Sequence, residues 1–170
     1  LRSDYNAQDV ERFRDFIRWK IVPLASEIYE KQRQRLGLET LQFYDEGFQF
    51  KEGNPAARGD EDWIVEQAEK MYNELSPETH SFFQMMKKQG LMDLKSHPGK
   101  ATGGYCTFIE NHKVPFIFSN FNGTSGDMDV LTHEAGHAFQ VYKSGNALIS
   151  EYIWPTYEAC EIHSMSMELF

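Results

Sequence analysis

Apolar side chains recur at intervals of three or four residues through most of this chain, which is the spacing of helices that bury one face. The interval predicts a first helix over 9–36, where Pro23 introduces a kink without ending the helix. In this helix, Phe13, Phe16 and Trp19 are expected to pack in the core or against another domain. Further helices are predicted over 60–75, 77–90, 127–144 and from residue 155 onward.

Two segments of the second half have a different composition, rich in β-branched and aromatic residues. They cover 100–110 and 114–119, and the polar residues between them favour a turn, so together they predict a β-hairpin entered through Gly103 and Gly104. A short extended piece is also predicted over 147–154. The fold class that follows is α+β, mainly α-helical with a small β-hairpin or sheet.

The length and the absence of internal repeats indicate a single domain over 1–170. We expect 1–97 to be a helical support region and 98–170 to carry the hairpin and the helices with candidate chemistry. The chain opens with Leu1 rather than Met, and its last helix has no stop signal. We therefore also expect a piece of a larger protein, truncated at both ends.

The charge balance limits the partners that the chain is expected to have. Asp and Glu number 26 against 17 Lys and Arg, a formal net charge of −9, which argues against a nucleic-acid partner. No apolar run reaches the roughly 20 residues of a membrane span, and the N-terminus lacks the apolar stretch of a signal peptide. Two cysteines are too few for a disulfide framework. We expect a cytoplasmic protein without nucleic-acid or membrane partners, and the oligomeric state stays open.

The candidate chemistry is concentrated in the predicted helix over 127–144, which contains His-Glu-Ala-Gly-His at 133–137. Residues four apart share one face of a helix, so the imidazoles of His133 and His137 can meet one metal ion. Glu134 is rotated by about 100° from His133, which suits a general base beside the metal rather than a ligand. The pattern predicts one Zn²⁺ per chain, with Glu134 as the catalytic residue.

A catalytic zinc takes a third protein ligand, and the candidates lie downstream of His137. If the last two helices pack antiparallel, Glu161 lies roughly 9 Å into the returning helix, level with His137 at roughly 10 Å before the end of its own helix. Glu161 is therefore the predicted third ligand. Glu158 and Glu168 lie near the same helix face and are candidates for orienting the ligating imidazoles. The full candidate set is Glu151, Glu158, Glu161, His163 and Glu168.

The run at 130–140 and the pattern Glu-x-x-Ser-x-x-x-Glu at 161–168 resemble a known family. They are similar to the thimet oligopeptidase/oligoendopeptidase F family of zinc metallopeptidases, especially its Pz-peptidase-like oligoendopeptidases. The similarity extends to segments at 99–106, 115–121 and 155–160. In that family the Glu that opens the pattern is the third zinc ligand, and this position falls on Glu161.

The resemblance implies a zincin-like helical metallopeptidase core that hydrolyses internal bonds of short peptides, which are then the expected partners. It also implies that 103–108 form an edge strand that pairs with the substrate backbone, with Gly103, Gly104 and Tyr105 as substrate-binding residues. Two alternatives stay open. One is a helical zinc exopeptidase of the carboxypeptidase type. The other is a non-catalytic piece in which zinc only stabilises the fold.

Overall fold

The structure is a computed structural model that describes residues 4–170. The chain divides into two compact units, 1–55 and 56–170. The mainly α-helical α+β class predicted from the sequence is confirmed, with six α-helices and three strands among the described residues. None of the described helices combines the length and the apolar character that crossing a membrane requires. The division into a support region over 1–97 and a catalytic region over 98–170 stays a prediction.

The first unit is a continuous helical run with one irregular turn. α1 spans Ala7–Phe16, a π-helical turn covers Ile17–Ile21, and α2 spans Val22–Leu36. Pro23 follows that turn. Because proline lacks an N–H and its ring displaces the carbonyl of the preceding turn, the widened turn accommodates it without ending the helix. The helix therefore continues past Pro23 as predicted, with a change of winding just before it, and the kink itself stays a prediction.

This first unit leaves its large apolar side chains exposed. Phe13, Phe16 and Trp19 have exposed fractions of 64%, 56% and 72%, so they do not lie in a core of the described residues, and their packing against another domain stays a prediction. One helical run and one loop offer too little surface to cover a long apolar face. The side chain that α2 buries is instead polar: Gln32, whose amide donates to the carbonyl of Phe48 at 2.6 Å.

The second unit begins with a helical hairpin. α3 spans Glu61–Leu75 and α4 spans Pro77–Lys88, as predicted. Asp60 begins α3 by accepting the backbone N–H of Trp63, and Ser76 begins α4 in the same way. The two helices, the sheet and the following helix enclose one apolar core. Its fully buried side chains include Tyr72, Phe82, Phe83, Met86, Ile117 and Leu131.

The sheet has three strands: β1 over Met92–Lys95, β2 over Tyr105–Ile109 and β3 over Val114–Phe121. β3 is central, with β1 parallel to it on one side and β2 antiparallel on the other. The predicted hairpin is confirmed, although its first strand begins later than predicted. β1 was not predicted, because the apolar–polar alternation of Met92–Lys95 is only four residues long and is therefore a weak strand signal.

Two helices complete the second unit. α5 spans Gly126–Ser144 and α6 spans Tyr157–Glu168, close to the predicted bounds. The extended piece predicted over 147–154 is wrong, because a 3₁₀ turn forms at Ser150–Tyr152. Its neighbour Ile153 is buried, and side chains of α5 donate to its carbonyl. These contacts across the turn select the compact conformation over the strand that the apolar residues favour.

Candidate metal centre

The candidate metal centre is built on α5, whose sequence places two histidines one turn apart. Asp127 fixes the start of this helix, since its buried carboxylate accepts the backbone N–H groups of Asn122 and Gly123. His133 and His137 then lie on one side of the helix, with ring centroids 4.9 Å apart and ring planes at 80°. The helical spacing therefore brings both imidazoles to one place.

α6 supplies an oxygen to the same place. Oε2 of Glu161 lies 3.3 Å from Nε2 of His133 and 3.8 Å from Nε2 of His137. These ligand atoms all lie within 4.8 Å of one another, and within residues 4–170 they form the one such group of His, Cys, Asp or Glu side chains. The two helices run antiparallel, because Ser164 lies against Gly136 while Glu168, further along α6, lies near His133, which comes earlier on α5.

A close approach of α5 and α6 allows this convergence. A Cβ placed on Gly136 would lie 2.6 Å from Cα of Ser164 and 2.7 Å from the carbonyl oxygen of His163. Any side chain at residue 136 would therefore push the two helices apart. The absence of a side chain at Gly136 is thus a condition for the site.

Polar contacts hold two of the three candidate ligands in place. Nδ1 of His133 lies 2.9 Å from Oε2 of Glu168, and an Nδ1–H that donates to this carboxylate leaves the lone pair of Nε2 for a metal. The hydroxyl of Ser164 donates to Oε2 of Glu161 at 2.9 Å. No role was predicted for Ser164 itself, although its position three residues after Glu161 was a signal for this contact. Glu158 is exposed near the start of α6, and its role stays a prediction.

The chemistry of these donors fits Zn²⁺. Two imidazole nitrogens and one carboxylate oxygen are a ligand set of hydrolytic zinc sites, which keep a further position open. Ligands at about 2.0–2.1 Å from one tetrahedral zinc lie roughly 3.3 Å from one another, close to the separations of the Glu161 oxygen from the two imidazoles. Burial lowers the pKa of His137, which favours the neutral imidazole that binds metal. The residues present therefore fit the predicted cofactor.

Glu134 lies on another side of α5, near strand β2. Burial raises the pKa of its carboxyl group, while the positive charge of His133 and a hydrogen bond from the backbone of Cys106 act in the opposite direction. The proximity of Cys106 places the carboxylate between α5 and the sheet, outside the group of three candidate ligands. This position leaves it free to act on a molecule lying between the metal site and β2.

β2 is one of the two outer strands of the described sheet, and its pairing with β3 determines which of its backbone groups point outward. Cys106 lies opposite Ile117, whose N–H donates to Leu91 on the other side of β3. The Cys106–Ile117 pair is therefore a non-hydrogen-bonded pair, in which the backbone groups of β2 face away from β3. Pro115, two residues before Ile117 and without an N–H, fits the same phase. By the two-residue alternation, Gly104, just before β2, and Cys106 both present N–H and C=O groups to the open edge, where the N–H of Cys106 meets Glu134.

The predicted substrate-binding residues lead into this edge. Gly103 has a φ of +96°, a conformation that favours glycine. A Cβ on Gly104 would lie 3.4 Å from a methyl group of Val130 on α5. Tyr105 is half exposed, and its ring stacks on Phe118 with centroids 5.1 Å apart. The structure thus places these three residues at the start of the open strand, and their contact with a substrate stays a prediction.

The helical fold and a His-Glu-x-x-His helix facing a glutamate are typical of metallopeptidases. The sequence model of Peptidase family M3 matches residues 1–170. The chain therefore belongs to peptidase family M3. A comparison with curated proteins finds no match.

Solved structures show the same relationship. A protein described as an oligoendopeptidase F from Bacillus anthracis str. Ames is 60% identical with a TM-score of 0.92, over 98% of this chain and 31% of that chain. PZ peptidase A, solved with an inhibitor, is 62% identical with a TM-score of 0.92, over 98% of this chain and 30% of that chain. These matches confirm the zincin-like helical fold class.

A more distant structure shares the fold alone. It is described as a peptidase from Chlamydophila abortus and is 20% identical with a TM-score of 0.74, over 98% of this chain and 27% of that chain. The chain thus spans less than a third of the length of each of these solved relatives.

Proposed function

We propose that this chain carries the catalytic site of a zinc-dependent oligoendopeptidase, which hydrolyses internal bonds of short peptides. His133, His137 and Glu161 hold one Zn²⁺. The observation that carries this proposal is the convergence of two imidazoles from α5 and one carboxylate from α6 within 4.8 Å. The similarity to an oligoendopeptidase F and to PZ peptidase A supports a peptide substrate.

Zn²⁺ at this site supplies Lewis acidity, which lowers the pKa of water and polarises the scissile carbonyl. Glu134 is the general base: its carboxylate takes a proton from the attacking water and later delivers that proton to the departing amine. Its place on α5, next to the first ligand and beside β2, suits both transfers. Glu168 keeps the His133 ring oriented by accepting Nδ1–H at 2.9 Å.

The open edge of β2 binds the substrate backbone. The outward N–H and C=O groups of Gly104 and the outward C=O of Cys106 can form a ladder with an extended peptide, so that affinity comes from main-chain hydrogen bonds, while the N–H of Cys106 donates to Glu134. Because Glu134 lies beside Cys106, a peptide paired at this edge brings a backbone carbonyl to the base. Such binding needs no free terminus, which favours cleavage of internal bonds.

We also propose a cytoplasmic location, supported by two cysteines that are both unpaired.

Glu134→Gln in the full-length protein tests this function. Zinc content measured by elemental analysis should remain one per chain, while kcat on a peptide with both termini blocked should fall by about 10²–10⁴, the contribution of a general base. Asp129→Asn is the matched control, because it makes the same acid-to-amide change at an exposed position of α5.

Three outcomes would contradict the proposal. Cleavage that survives in Glu134→Gln shows that Glu134 is not the general base. A wild-type enzyme that cuts only peptides with a free terminus is an exopeptidase. A zinc-loaded wild-type protein that cuts neither kind of peptide has a structural zinc.

A further inference from the structure

The loop between β1 and β2 has no regular secondary structure, yet it leads directly into the open edge of the sheet. It covers 96–104 and includes Gly99 and Gly103, both with positive φ. Because glycine restricts the backbone little, such a loop needs contacts with its surroundings to hold one conformation. An edge strand that aligns a peptide needs a fixed starting point, so the contacts that hold this loop decide where Gly104 and Cys106 lie.

Lys100 provides the first of these contacts. Its side chain is only 3% exposed, and Nζ donates to the carbonyl of Asp93 at 3.1 Å, to Oδ1 of Asp93 at 2.9 Å and to the carbonyl of Lys95 at 2.8 Å. Nζ also lies 4.5 Å from the ring centroid of Phe118. An ammonium group has three hydrogens, and three oxygens accept them here. This buried cation is therefore fully partnered and ties the loop to the end of β1.

Asn120, near the end of β3, provides the second contact. Its Nδ2 donates to the carbonyl of Ala101 at 2.8 Å and to the carbonyl of Gly103 at 2.9 Å. Both hydrogens of the amide are thus used on the loop immediately before β2. Lys100 thus holds the loop to the outer strand β1, and Asn120 holds it to the central strand β3. Together the two side chains fix the loop to two strands of the sheet.

We propose that Lys100 and Asn120 are positioning residues for the peptide substrate, an inference that rests on the proposed function. They touch neither the candidate ligands nor Glu134. They hold the loop so that the outward backbone groups of Gly104 and Cys106 lie in register with that base. Loss of either anchor lets the start of β2 move, which weakens pairing with the substrate backbone while the metal site stays intact.

Asn120→Asp in the full-length protein is the sharpest test, because aspartate has the same size but no N–H to donate. We expect KM for a blocked peptide to rise about tenfold, the factor for losing two neutral hydrogen bonds, with kcat within about threefold of wild type. Zinc content should not change. Lys100→Met should raise KM at least as much. Lys100→Arg should raise KM less than Lys100→Met, because arginine keeps a charged donor.

Matched controls are Asn111→Asp in the hairpin turn and Lys88→Met at the end of α4, both at exposed positions. Unchanged KM in Asn120→Asp would overturn the proposal. So would equal losses of kcat, zinc and thermal stability, since these indicate general misfolding. If Lys100→Met does not fold, Asn120→Asp and Lys100→Arg carry the test.

Hydrogen–deuterium exchange without substrate separates this inference from the proposed function. The amides of 101–106 should exchange about tenfold faster in Asn120→Asp than in wild type, while those of α5 stay unchanged. Unchanged exchange over 101–106 contradicts the positioning role whatever the enzyme cleaves. If Asn120→Asp exchanges faster but the wild-type protein cleaves no peptide, the anchoring role stands and the peptidase function is refuted.

Discussion

Gly136→Ala tests whether the metal site depends on the close approach of α5 and α6. The added methyl group would lie 2.6 Å from Cα of Ser164 and 2.7 Å from the carbonyl oxygen of His163, and neither main-chain atom can rotate away. Non-bonded carbon atoms settle at about 3.5–4.0 Å. The helices must then separate locally by about 1 Å. Since the imidazoles come from α5 and Glu161 comes from α6, this separation widens the site.

Two opposing effects set the change in the free energy of unfolding. Alanine is a better helix former than glycine by about 1 kcal/mol, whereas overpacking a tight contact costs about 1–3 kcal/mol. The net loss of stability is therefore only about 0–2 kcal/mol. Zinc affinity responds more strongly, because displacing the groups that support metal ligands lowers metal affinity about 10–100-fold. We expect Gly136→Ala to bind zinc at least about tenfold more weakly than wild type.

Competition with a chelator measures this affinity in the full-length protein. Gly126→Ala is the matched control: it is the same substitution in the first turn of α5, where an added Cβ meets Oγ1 of Thr124 at an ordinary 3.5 Å. This control should keep wild-type affinity. Equal zinc affinity in Gly136→Ala and Gly126→Ala would refute the reasoning that helix contact sets the site.

Three further substitutions probe the groups around the site. Glu168→Gln removes the charged acceptor of His133 Nδ1–H, so zinc affinity by chelator competition should fall about 10–100-fold; an unchanged affinity would show that this contact does not orient the ring. Ser164→Ala removes the hydroxyl that donates to Glu161 and should weaken zinc by a smaller factor, about fivefold, as expected for one hydrogen bond. Asp127→Ala leaves two loop N–H groups without their acceptor, and urea unfolding should show a loss of about 1–3 kcal/mol; stability equal to wild type contradicts that anchoring role.

Much of the fold follows from local signals in the sequence. α3, α4, α5 and α6 carry three- and four-residue apolar spacing together with Asp, Ser, Pro or Gly at their ends, and all four were predicted near their observed bounds. β1 carries no such signal, because its four residues become a strand only by pairing with β3. The 3₁₀ turn at Ser150–Tyr152 escaped prediction for a similar reason, since contacts with α5 select it.

The candidate site likewise has some residues that local sequence signals predict and others that they do not. His133, Glu134 and His137 could be proposed from spacing alone, because four residues make about one helical turn. Glu161 required the further assumption that the last two helices pack antiparallel, and the structure has that arrangement. The anchoring by Lys100 could not be predicted, since nothing local distinguishes a buried lysine from the solvated majority.

The zinc affinity of Glu161→Gln tests the central claim most directly. Glu151→Gln is the matched control, because it makes the same change at an exposed glutamate before α6. We expect Glu161→Gln to lose more zinc affinity than the roughly 10–100-fold that is typical when a residue hydrogen-bonded to a metal ligand is changed. Glu151→Gln should bind zinc like wild type. Wild-type affinity in Glu161→Gln would contradict the three-ligand site formed by α5 and α6.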